Sequence, residues 1–371
     1  MTSKERMMRA LHREKPDRMP VTIHQWQKYH LDHYMDGMDA LSAFKACGLD
    51  ASIAYFGTVA QSQDVEVMQY PEWREEIVVV KDDPEKTIKH HTITTPGGQL
   101  TFKTGANRIT EWMIEYPIKK QGDIELIDKY MPVPELDQAD VARVYDEVGD
   151  AGILRGFVWG YQVGPWQHAA GALVPLETLI LETFDNPDWV HRLLRMLLDK
   201  KLRFIEESLK GAKFDLIETG GGAGSDTVIS PGIHHEFCLP YDRQIHRALH
   251  DVGHICAYHT CGGMMHILDL ILENESDASE TLAPPGVGGN VTDPEKVREV
   301  FGGKLAMIGG MDQFNILTSG TVEQIRAEVE RLFEGFGPGG GYIMSPSDHF
   351  FETPPENLQI YADAASECRY R

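Results

Sequence analysis

Short apolar runs alternate with amphipathic helical stretches along most of this chain, and that rhythm limits the folds open to it. A helix between two strands carries the chain back along the sheet, so strand–helix repeats build a parallel sheet. Eight runs read as strands: 19–24, 50–56, 152–160, 214–219, 254–261, 277–282, 304–309 and 341–345. Eight units imply closure into an α/β (β/α)8 TIM barrel. With insertions, such a barrel accommodates all 371 residues as one unit over 1–371, behind an N-terminal helical extension.

The helices carry their own punctuation. Pro187 opens one that runs to 207, with Asn186 as the expected N-cap and Val190, Leu193, Leu194 and Leu197 along one face. Asp293–Pro294 opens another that stops at Gly302–Gly303, and Thr321 with Gln324 forms a capping box ahead of Ile325, Val329 and Leu332. Between about 62 and 125 the rhythm breaks. Segments rich in β-branched residues at 76–81, 87–95 and 99–103 predict an antiparallel β-meander inserted after the second strand. A lid and a homodimer contact are equal readings of it.

A formal charge of -22 disfavours nucleic acid and anionic membranes as partners. No run approaches the ~20 apolar residues of a membrane span, and residues 1–13 lack the apolar stretch of a signal peptide. Five cysteines, few and odd in number, argue for a reducing, cytoplasmic setting in which a special cysteine serves metal or catalysis.

The chemistry concentrates at Tyr258–Gly263. His259 and Cys261 are two apart, so on a strand they share a face with Ala257 and Ile255, while Cys256 turns toward the helices. An imidazole and a thiolate at a strand's C-terminal end make half of a zinc site, where barrel active sites lie. After the last predicted strand, Asp348 offers an oxygen ligand, and His349 is its rival or a catalytic neighbour. Glu218 and Glu280 end two further strands and are the candidate catalytic carboxylates. The run Gly220–Ser225 lacks the Lys-Ser/Thr of a phosphate cradle and reads as a flexible active-site loop. His24 and the aromatics Trp26, Tyr55, Trp159, Tyr161, Trp166, Phe350 and Phe351 cluster at predicted strand ends, as a rim for a flat or apolar substrate.

An ordered set of segments then resembles the uroporphyrinogen-decarboxylase-like family. The set comprises Ser3–Arg6, Lys15–Val21, Ile229–Pro231, Phe237 with Pro240–Tyr241, His259–Gly262, Gly309–Asp312, Thr353–Pro354 and Glu356–Asn357. The family contains decarboxylases, with substrate-binding arginines at an early strand end, and zinc-dependent corrinoid methyltransferases. Here the early segment, His24 to His30, holds no arginine. The methyltransferases carry a His-x-Cys, matched by His259 and Cys261, and a cysteine after the last strand, where this chain has Asp348. Exchanging a thiolate for a carboxylate hardens the site toward an oxygen ligand. The resemblance therefore implies a zinc-dependent methyltransferase acting on a small methylated substrate, an aryl methyl ether, with O-demethylation. The methyl group passes to the cobalamin-type cobalt of a partner corrinoid protein. The alternatives are transfer from a methylcorrinoid to a thiol or folate, and metal-free decarboxylation.

Overall fold

The computed structural model describes residues 1–57, 69–83, 85–159 and 163–370. Strand β1 (Ala51–Ala54) precedes a five-stranded antiparallel sheet of β2 (Gln69–Tyr70), β3 (Trp73–Lys81), β4 (Thr87–Thr95), β5 (Gly98–Ala106) and β6 (Glu111–Glu115). Six strands follow: β7 (Gly152–Phe157), β8 (Leu216–Gly220), β9 (Cys256–His259), β10 (Ala278–Thr281), β11 (Ala306–Met311) and β12 (Tyr342–Pro346). With β1 they form a seven-stranded parallel sheet in chain order, β1-β7-β8-β9-β10-β11-β12.

The eighth expected strand, 19–24, is corrected to a single parallel bridge between Val21 and Met344. Pro20 has no N–H, so the segment offers fewer ladder bonds. It still joins the two sheet edges. Met344 N donates to Pro20 O and Thr22 N to Met344 O, each at 2.9 Å, while Asp50 N donates to Val21 O at 2.8 Å. The sheet is thus curled and barrel-like.

The floor explains the curl. The helix Ser3–Leu11, started by a Thr2–Glu5 capping box, buries Met7, Ala10 and Leu11. These cluster with Ile153, Leu216, Ala257, Ala278, Ala306 and Ile343, one residue near the start of each strand from β7 to β12. Six strands converge on one helix only if the sheet wraps around it. Side chains repeat every second residue along a strand. The next inward layer above that apolar floor is therefore Arg155, Glu218, His259, Glu280, Ile308 and Ser345, all buried.

Outside the sheet, Val190, Leu193, Leu194 and Leu197 are fully buried on the helix Pro187–Phe204, and Thr321 and Gln324 make the expected capping box. Asn186 makes no side-chain cap; its amide donates to Glu182 instead. The inserted sheet occupies 69–115 and packs through Trp73, Ile93 and Leu100 against the helical layer around Leu173 and Leu179. The beginning of the expected meander, 62–68, lies outside the described residues. Among the described residues no helix is long and apolar enough to cross a membrane.

Asp50 ties the closure together. It is fully buried, accepts from Val21 N at 3.0 Å, and pairs with the buried Arg6 guanidinium at 2.7 Å. Asp50→Ala removes the bridge acceptor and one of the arginine's two acid partners at once. It is expected to cost about 3 kcal/mol in urea denaturation; an unchanged midpoint would separate this pair from the closure.

Candidate active site at the strand ends

All seven strands of the large sheet run parallel, so their C-terminal ends share one side, and the chemistry gathers there. Arg155 on β7 is 3% exposed and is the residue that sequence reasoning missed. Its Nη2 donates to Glu218 Oε2 at 2.6 Å and to Glu280 Oε1 at 2.8 Å. Its Nη1 lies 3.4 Å from both the Nδ1 and the carbonyl of His24. The signal was present as one arginine inside the otherwise apolar run GILRGF, where a buried guanidinium requires acidic partners.

Glu280 does two things. One oxygen, Oε1, accepts from Arg155 and also meets His259 Nδ1 at 3.0 Å. That leaves the other imidazole nitrogen, Nε2, as the donor directed elsewhere, the arrangement by which carboxylates orient metal-binding histidines. The second carboxylate, Glu218, approaches the same Nδ1 at 3.6 Å.

Charge is unevenly shared across this group. Burial and the neighbouring Glu280 charge both push the Glu218 carboxyl up. Glu280 goes the other way: burial opposes its ionisation, but Arg155 and His259 hold it well below the usual carboxylate range. Burial lowers His24, helped by the Arg155 charge. For His259 burial is overcome by Cys261 and Glu218, which raise it.

Cys261 lies two residues beyond β9 and Asp348 two beyond β12, both half-buried at the rim. One ligand atom from each of His259, Cys261 and Asp348 falls within 4.8 Å of the others. His349 stands alongside, its Nδ1 3.0 Å from Gln27 Nε2 and its ring 5.0 Å from that of His24. The His24 ring in turn lies 5.2 Å from His259. The glycine run closes over the thiol. Gly220 and Gly221 take φ of 81° and 139°, and a Cβ on Gly222 would collide with Cys261 Sγ.

Imidazole, thiol and carboxylate converging at a strand end form a donor set that fits zinc. A second convergent group, His24, Glu218, His259 and Glu280, fits a cation less well, because Arg155 already supplies the positive charge between its carboxylates. The residues expected at the site thus come together in His24, Glu218, His259, Cys261, Glu280, Asp348 and His349. The aromatic rim is largely dispersed. Trp26 and Phe350 are buried against each other with His30 and Phe44 near Trp26. Tyr55 turns to the outer helix layer and donates to Asp140 at 2.8 Å, and Trp166 donates from beneath the glycine run to Ala223 O. Trp159 stands half-buried beside His168, Phe351 is half-buried, and Tyr161 lies outside the described residues.

Arg155→Met leaves two buried carboxylates without their countercharge. The expected loss is about 3–5 kcal/mol, partly recovered by adding Glu218→Gln, because one of the facing charges is then gone. Chemical denaturation of both variants checks this; a single variant as stable as the parent would remove Arg155 from the account.

A family model described as uroporphyrinogen decarboxylase (URO-D) matches residues 97–368. The uroporphyrinogen decarboxylase of Pseudoalteromonas translucida is 25% identical over 284 residues, 72% of this chain and 73% of that protein. The one from Gloeobacter violaceus is 26% identical over 297 residues, 75% and 78% of the two chains. Among solved structures, a methyltransferase from Methanosarcina mazei superposes with a TM-score of 0.67 at 18% identity, covering 99% of both chains. At that identity the likeness speaks for the fold.

Proposed function

The chain belongs to the uroporphyrinogen decarboxylase family, and within it we propose a zinc-dependent methyltransferase that takes a methyl group from a small methylated substrate, an aryl methyl ether, and passes it to the cobalt of a partner corrinoid protein. The observation that carries this reading is the convergence of His259, Cys261 and Asp348 at the strand ends.

In this reading those three residues hold the zinc, which when bound draws off the charge that develops on the ether oxygen as the methyl departs. The chain's own residues prepare the ground. Glu280, kept ionised by Arg155, holds His259 through Nδ1 so that Nε2 faces the rim. His24 and His349 flank the ring, and the glycine run leaves no side chain between Gly222 and Cys261 Sγ. Balance requires that the C–O electron pair stay on oxygen, that the new carbon–cobalt bond use the pair of cobalt(I), and that the oxygen gain one proton. Glu218, whose carboxyl burial and Glu280 push up, is the group of this cluster suited to hold that proton. Asp348 favours an oxygen substrate over a thiol, because a carboxylate in place of a thiolate makes a harder site.

The relatives' name raises decarboxylation as the second reading. That chemistry on a polycarboxylate calls for free cations, and among the described residues the guanidinium of this cluster, Arg155, is already bonded to two carboxylates.

Metal analysis with a spectral assay for conversion of cobalt(I) to methylcobalt, over a panel of methoxylated aromatics, tests the reading. Cys261→Ala and His259→Ala are expected to lose the mouth zinc yet stay folded, since the rim is not part of the apolar floor. Asp348→Ala should retain zinc weakly and stop methyl transfer, whereas Asp348→Cys should restore the metal but not ether cleavage. Loss of zinc from His349→Ala with full retention in Asp348→Ala would transfer the ligand role to His349. Undiminished zinc in Cys261→Ala would end the assignment. Incubation with uroporphyrinogen should release no carbon dioxide; measurable release would establish the second reading.

A further inference from the structure

The strand that delivers His259 to the mouth begins at Cys256, and a second convergent cluster surrounds that end. Cys256 is fully buried, faces outward from the sheet, and packs with Ile245 and Leu249 in the helical layer. Beside its Sγ stand His250, in the last turn of the helix Leu239–Asp251, and Asp277, the residue before β10. His250 Nε2 lies 2.8 Å from Asp277 Oδ2, Cys256 Sγ lies 3.9 Å from His250 Nε2, and Sγ lies 3.7 Å from Asp277 Oδ2.

One ligand atom from each of these three residues lies within 4.8 Å of the others. Bonds of ~2.0–2.3 Å at tetrahedral angles put donor atoms about 3.3–3.6 Å apart; the nitrogen–oxygen pair, hydrogen-bonded at 2.8 Å, stands closer than that and the two sulfur separations slightly wider, so small side-chain shifts would bring all three onto one ion. The three atoms involved are also the ones used for ligation: one imidazole nitrogen, one carboxylate oxygen and one sulfur, converging on a common point. A relay of the Cys–His–Asp kind would instead use both ring nitrogens, yet here the carboxylate and the sulfur both face Nε2. His250 and Asp277 are 38% and 22% exposed in their side chains, so an ion can enter from solvent and keep a water as fourth ligand.

We infer that His250, Cys256 and Asp277 form a second metal site, selective for zinc-like thiophilic divalent ions, at the end of β9 opposite the mouth. A thiol among the donors disfavours magnesium and calcium, which take oxygen ligands. Binding releases the Cys256 proton to solvent, because the thiolate is the ligand. This cluster stands apart from the mouth. The sites share no residue, and β9 runs from one to the other at about 3.3 Å per residue. An ion here would fasten the end of the helix Leu239–Asp251 to the starts of β9 and β10, so its effect is on stability.

The test uses the full chain carrying Cys261→Ala, stripped by chelator and titrated with cobalt(II) alone. One equivalent should bind, with a thiolate-to-cobalt charge-transfer band and tetrahedral d–d absorption, and the melting temperature should rise with metal concentration. Adding His250→Ala, a half-exposed position whose loss leaves the core packing intact, should abolish the band and the metal-dependent stabilisation. Cys256→Ser should abolish the charge-transfer band, with circular dichroism confirming the fold. Absence of stoichiometric binding in the Cys261→Ala protein would overturn the inference, as would a band that persists in His250→Ala. Retention of the mouth metal in His250→Ala alone separates the fate of this site from that of the proposed function.

Discussion

A guanidinium withdrawn from water costs several kcal/mol unless opposite charge and good hydrogen bonds meet it, and Arg155 obtains both from Glu218 and Glu280 on two other strands. Satisfying one arginine fixes the relative positions of β7, β8 and β10 at the level where the apolar floor gives way to chemistry. The same Glu280 oxygen then fixes the His259 ring. The orientation of the imidazole at the rim thus rests on an ion pair beneath it. The pairing also commits the Arg155 guanidinium to two carboxylates of the chain itself.

The floor and this charged layer are one construction seen at two heights. Ile153, Leu216, Ala257 and Ala278 pack on the N-terminal helix, and the residues two steps on, Arg155, Glu218, His259 and Glu280, form the polar layer. Small side chains at Ala257 and Ala278 leave room for Met7, Ala10 and Leu11 to enter from below. Above, the glycine run admits the Cys261 sulfur where any Cβ at Gly222 would block it. Outward parity along the same β9 places Cys256 among the helices, against His250 and Asp277. A single strand therefore serves two separate polar clusters, one at each end and one on each face.

Much of this was legible in the chain itself. Alternating strands and helices, the Thr321–Gln324 capping box and the antiparallel insertion depend on neighbours close in sequence. The shared face of His259 and Cys261 follows from a spacing of two, and their place at a strand end marks them out. Asp348 was visible because it follows the last strand. Arg155 was not, since its meaning depends on Glu218 and Glu280, 63 and 125 residues away. Three of the aromatics, Tyr55, Trp26 and Phe350, depart from the expected rim for a related reason. Proximity to a strand end says nothing of which way a ring turns, and Tyr55 turned outward to Asp140 while Trp26 and Phe350 closed on each other.

By itself the sequence determined the kinds of element, their order, and which side chains share a face, because backbone periodicity is a local covalent property. Only the tertiary structure decided that the eighth strand shrinks to the Val21–Met344 bridge and that Glu280 is held ionised while Glu218 is pushed up. It alone brought Asp348 within reach both of His259 with Cys261 and of His24 with His349, the last also meeting Gln27. Each of these depends on distances across the sheet and on burial, and neither is encoded in any short stretch of chain.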